Sequence, residues 1–152
     1  MKNASFFKSV SILLLLFICT GVFAQNEHAD IARDVLSQTN QFRKSNGLDD
    51  LELRDELNSL AQKHSENMAS GRIKLGHSGF AKRNAMAVSA IKSIHSFAEN
   101  VAYGATSANE VVALWKSSSG HRRNMLGHYS FTGIGIAKDK HGRIYYTQIF
   151  AG

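Results

Sequence analysis

The chain has no proline, and its single cysteine stands at position 19 of 152 residues. Without proline, glycine and asparagine must supply the turns. One cysteine cannot close an intrachain disulfide, so the fold has to rest on packing and hydrogen bonding. The sequence also lacks repeats, low-complexity tracts and linker-like stretches, and its length is that of one domain. Its 18 Lys and Arg against 12 Asp and Glu give a formal charge of +6. That charge is spread out, and no basic run interleaves with aromatics, which argues against nucleic-acid binding. Weak attraction to acidic surface polymers is compatible with it.

Long apolar runs are equally scarce. The one present, Val10–Ile18, follows Lys2 and Lys8 and precedes Cys19-Thr20-Gly21-Val22-Phe23-Ala24. A basic start, a short apolar core and a small-residue end make a secretory signal peptide over residues 1–24, with cleavage expected after Ala24. The run is short for a membrane span. Bulky Phe17 and Ile18 disfavour lipidation of Cys19. Residues 25–152, about 128 of them, are enough to bury one core. The expected product is secreted (extracellular or periplasmic), monomeric, free of cysteine and without a membrane span.

Apolar spacing predicts helices over about 27–44 and 55–70, the second presenting Leu57, Leu60, Ala61, His64 and Met68 on one face. On that face His64 reads as a buried, hydrogen-bonded core histidine. Leu48–Leu53 reads as an extended surface connection. A weaker helix spans Phe80 to about Ile91. Ser107 and Glu110 form a capping pattern before Val111-Val112 and start a fourth helix, which makes Glu110 a capping carboxylate. The segments 131–137 and 144–150 form an antiparallel hairpin, and Gly133 and Gly135 imply something packed closely against it. The architecture is α+β, with helices covering a small sheet.

Three polar residues stand out. His77 lies between Gly76 and Ser78-Gly79, where it either lines an open loop or decorates a turn. Glu99 shares the apolar parity of Phe97 and Val101, so it needs a cationic or donor partner, functional or structural. His121 follows Gly120, which is expected to turn the chain tightly and leave the imidazole uncovered.

The stretch Trp115-Lys116-Ser117-Ser118-Ser119-Gly120-His121-Arg122-Arg123-Asn124-Met125-Leu126 resembles the W-x-x-S-x-G-H-R-x-N-(I/M)-L signature of the CAP superfamily (cysteine-rich secretory proteins, antigen 5 and pathogenesis-related protein 1). Asn40-x-x-Arg43, Ala61-x-x-His64-Ser65, Gly76-His77-Ser78, Ala98-Glu99-Asn100-Val101-Ala102, Thr132-Gly133-Ile134-Gly135 and Tyr145-Tyr146-Thr147-Gln148-Ile149-Phe150 look like further pieces of it, in the same order. The resemblance is to the short secreted bacterial members. It implies a three-layer α-β-α sandwich with a small central antiparallel sheet, and a surface cleft holding His77, Glu99 and His121. The family's second glutamate corresponds to Ser118 here. In some members the two histidines hold a divalent metal, which would place zinc or a similar ion on His77 and His121. Sterol export is not implied, because the connection from Trp115 to His121 is short. Two functions follow as expectations: an extracellular binding module whose cleft takes a divalent metal or an envelope or apolar ligand, or a peptidase- or esterase-like hydrolase using His77, Glu99 and His121. No serine sits in a G-x-S-x-G elbow.

Overall fold

The computed structural model describes residues 28–152; the leader, its cleavage point and Cys19 lie outside the described residues. The elements are helix α1 (28–44), β1 (Glu52–Leu53), α2 (Asp55–Ala69), α3 (Phe80–Ala90), β2 (Phe97–Tyr103), α4 (Ala108–Ser117), α5 (Ser119–Met125), β3 (Phe131–Lys138) and β4 (Ile144–Ala151). One packed unit spans Ile31–Gly152. The α+β reading and the sandwich both hold.

The strand order is β1-β3-β4-β2. Because side chains alternate across a strand, each strand feeds two layers. Ile134, Ile136, Ile144, Tyr146 and Phe150 pack with Val35, Val111, Val112, Trp115 and Met125 from α1, α4 and α5. Ile149 and Ala151 turn the other way and pack with Leu57 and Ala61 of α2, Ala87 of α3, and Ile91 and Ile94 beyond it.

The expected purely antiparallel sheet needs one correction. β1 runs parallel to β3, pairing Glu52 with Phe131 and Leu53 with Thr132, so the sheet is mixed. The segment 48–53 is therefore not a surface connection: Leu51 is buried. Its backbone is bracketed by the Asn40 side chain, which accepts from Leu51 N at 2.9 Å and donates to Leu51 O at 3.1 Å. A carboxamide that imitates a strand partner carries no period-two signal, which is why alternation alone missed it.

Since β1 is two residues long, β3 would otherwise present a bare edge. Asn58 Oδ1 and Gln62 Oε1 accept from Ile134 N and Ile136 N, each at 2.9 Å. Leaving a buried donor unpaired costs about 1–3 kcal/mol, so these side chains hold α2 against the strand. Gly133 and Gly135 permit the close approach, because a Cβ at either would collide with the α2 backbone at Leu57 or Ala61. The sequence-based reading of that glycine pair holds.

Arg43, which the family resemblance picks out together with Asn40, is buried. It donates to the carbonyls of Asp49, Met125, Gly127 and Tyr129 at 2.8–3.1 Å. It thereby ties the end of α1 to the exit of α5. Burial pulls its pKa below the usual guanidinium value, with Asp49 and Asp50 opposing.

Candidate functional site

Glu99 sits in the middle of β2, opposite Ile149 of β4, on the face covered by α2 and α3. Its side chain is fully buried. A carboxylate there needs compensation, and Arg83 of α3 provides it. Arg83 Nε donates to Oε2 and Nη2 to Oε1, both at 2.7 Å, while Nη1 donates to the Ser78 carbonyl at 2.8 Å. This two-pronged guanidinium–carboxylate pairing is the strong, orientation-fixing kind. It ties α3, β2 and the 76–79 loop into one body.

That loop carries His77, which is about half exposed. Its Nδ1 lies 2.9 Å from Glu99 Oε1. A carboxylate only accepts, so Nδ1 bears a proton. His77 is therefore a positioned imidazole rather than a turn ornament. Gly79 caps α3 in the left-handed conformation, φ 79°, which returns the chain toward Arg83 just after the histidine.

His64 is buried below this group. Its Nε2 donates to the Gly76 carbonyl at 2.8 Å and approaches Glu99 Oε1 to 3.7 Å and Arg83 Nη2 to 3.3 Å. Burial is the main cause that holds its pKa below the ordinary imidazole value, with Glu99 opposing. It is a core histidine, as its position on the apolar face of α2 predicts.

His121 comes from the opposite side, on α5. Asn100 Nδ2 donates to the His121 carbonyl at 3.1 Å, and Asn124 Nδ2 donates to Asn100 Oδ1 at 2.9 Å and to the Glu99 carbonyl at 3.2 Å. These amides fasten the helix carrying His121 to the strand carrying Glu99. His121 is half-buried. Burial first, and the nearby charge of His77 second, push its imidazole pKa down. Gly120 does not make the expected tight turn. It lies inside α5, has no positive φ, and a Cβ there would meet open space.

Ser118 links α4 to α5, and its side chain makes no capping bond. Ser117 donates its hydroxyl to the Leu114 carbonyl at 2.8 Å. Glu110 behaves as a cap: its amide donates to Ser107 Oγ, and its carboxylate accepts from Thr106 N at 2.7 Å.

The structure thus joins His77 to Glu99 directly, ties the helix carrying His121 to the Glu99 strand through Asn100 and Asn124, and sets Ser118 three residues ahead of His121. The residue that sequence reasoning missed is Arg83. A signal for it existed, since Arg83 falls on the same face of α3 as Phe80 and Ala87, three residues after the first and four before the second. An arginine on an apolar helix face and a glutamate on an apolar strand face are each other's natural partners.

Three layers around a small mixed sheet, with a loop histidine bonded to a buried strand glutamate and a second histidine on a short helix fastened to the same strand, define the class. The same fold occurs in an outer surface protein of Borrelia burgdorferi, with a TM-score of 0.70 and 20% identity over 80% of this chain and 92% of that one. It occurs again in an extracellular SCP-domain protein of Bacillus anthracis, with a TM-score of 0.69 and 21% identity over 82% of this chain and 41% of that one. At these identities the likeness is one of fold. In sequence the chain is 32% identical over 122 residues to YkwD of Bacillus subtilis, covering 79% of this chain and 46% of that protein. It thus spans about half the length of that relative. The sequence model of the cysteine-rich secretory protein (CAP) family matches residues 36–150. The chain belongs to the CAP family.

Proposed function

We propose that this CAP domain is an exported binding module whose cleft presents two imidazoles, His77 and His121, to a divalent metal or to a ligand carrying one. The observation that carries the reading is the Arg83–Glu99–His77 relay: a buried, fully compensated carboxylate fixes one imidazole through its Nδ1, which leaves Nε2 as the nitrogen offered to a ligand. The lowered pKa of His121 keeps the second ring unprotonated near neutral pH, the form that binds metal.

The donor set defines what can be held. Both Glu99 oxygens are engaged by Arg83 and His77. Among the described residues no group of three or more His, Cys, Asp or Glu side chains is placed to hold an ion. Glu99 is therefore a supporting partner that orients a ligand histidine, not a third ligand. Zinc on His77 and His121 would need its remaining positions filled from outside the chain, which suits a binding role. Among the described residues no serine hydroxyl bonds either imidazole, and Ser117 is engaged with its own helix, which favours binding over a serine hydrolase. Export rests on the leader pattern of residues 1–24 and on the family. Among the described residues no helix is long and apolar enough to cross a membrane.

Thermal unfolding with and without zinc tests this reading. Zinc at a hundredfold excess over its dissociation constant should stabilise the protein by about 2.7 kcal/mol at pH 7.5. The gain should weaken at pH 5.5, where protons compete with zinc for imidazole nitrogen, and vanish in His77→Ala/His121→Ala. Stabilisation that survives the double substitution would overturn it.

A further inference from the structure

The far end of the sheet carries a second surface that the histidine cleft does not use. Tyr103 of β2 and Tyr145 of β4 are direct cross-strand neighbours. Their rings stack with centroids 5.8 Å apart and planes at 28°. Tyr103 remains 49% exposed. Cross-strand aromatic pairs are normally explained by mutual packing, yet this one forms a ridge between two open grooves. Tyr103 lines one of about 750 Å³ with Ala113, Leu114 and Glu110, whose carboxylate accepts from Thr106 N at 2.7 Å and Thr106 Oγ1 at 3.1 Å. Tyr145 lines the other, of about 670 Å³, with the β3–β4 turn and the end of α2.

The turn is Lys138-Asp139-Lys140-His141-Gly142-Arg143, three cations and a histidine against one carboxylate. That carboxylate is spent internally. Asp139 Oδ1 accepts from His141 N at 2.8 Å and Arg143 N at 3.0 Å, and Oδ2 takes Arg143 Nε at 2.9 Å. The acid of the opposite wall, Glu66, is also engaged, by Gln62 at 3.3 Å and Lys63 at 3.7 Å. The turn on the Tyr145 side of the ridge is therefore net positive, and Lys140 and His141 are exposed.

We propose that the tyrosine ridge and the basic turn form a docking surface for an acidic polysaccharide. Its sugar rings would lie against the exposed Tyr103 face and its carboxylates against Lys140, with Arg143 held beside it by Asp139. Aromatic faces select the C–H faces of sugar rings, and the cations select the acidic substituent. Neither feature alone would choose this class of polymer. The surface is independent of the histidine cleft.

Affinity electrophoresis of the purified protein in gels containing polygalacturonate, with neutral dextran as comparison, tests the assignment. Retardation should occur with polygalacturonate and weaken with added salt. Tyr103→Ala and Lys140→Glu, both at exposed positions that leave the core intact, should each weaken it about tenfold, or about 1.4 kcal/mol. Lys92→Glu, an equal charge change elsewhere on the surface, and His77→Ala/His121→Ala should leave it unchanged. An equal loss in Lys92→Glu would reduce the effect to net charge and overturn the proposal. So would equal retardation by dextran, or tighter binding to poly(dT) or to phosphatidylglycerol vesicles than to polygalacturonate.

Discussion

Two buried arginines in this small domain do different work. Arg43 meets only backbone carbonyls, from Asp49, Met125, Gly127 and Tyr129. Arg83 meets a buried carboxylate, Glu99, which in turn holds an imidazole that reaches solvent. The first is a staple, because every group it touches is inward and already fixed. The second is a support, because its partner passes orientation to an exposed side chain. Burial and residue type do not separate them. What separates them is whether the chain of contacts ends in the core or at the surface.

Breaking the staple should have the larger effect. Arg43→Met strands several buried carbonyls and should cost about 3 kcal/mol or more in denaturant unfolding. Removing the charge of Asp49 should not recover that loss, since no carboxylate is bonded to the guanidinium. Arg83→Met should cost about 3 kcal/mol, the low end for a broken buried pair, because Arg83 lines an open pocket with His64 and Ser78. Here a second substitution should help: Glu99→Gln in the Arg83→Met background should recover about 1 kcal/mol. Recovery in the first case or none in the second would erase the distinction.

The smallest expected effect is on pH dependence. His64 has a folded pKa depressed by burial, so the unfolded chain takes up its proton first on acidification. Its contribution to stability is full above the unfolded value near 6.5 and declines as pH falls toward the folded one. Urea unfolding of His64→Gln should therefore show a shallower loss between about pH 6.5 and 5 than the unsubstituted protein.

Much of this was legible in the sequence. Helical spacing located α2 and α3 to within a residue at each end, the Ser107 pattern located α4, and the Gly133/Gly135 pair foretold a close helix. Parity alone placed Glu99 on an apolar face and required a partner for it. The parallel strand β1 was not legible, since its pairing depends on the Asn40 side chain and on a segment far along the chain, at Phe131 and Thr132. The partnerships of Arg43 and Arg83 were hidden for the same reason: each is a long-range satisfaction of a buried group, not a local period. Gly120 misled, because a glycine in the first turn of a short helix looks like a turn glycine when only its neighbours are known.

Imidazole nitrogen chemical shifts of His77, recorded at pH 7.5 before and after zinc, test the central claim most directly. The Arg83–Glu99–His77 relay predicts a proton on Nδ1 before zinc, then a shift of Nε2 together with a ring nitrogen of His121. A bare Nδ1 in the free protein, or zinc leaving both rings unchanged, would contradict it.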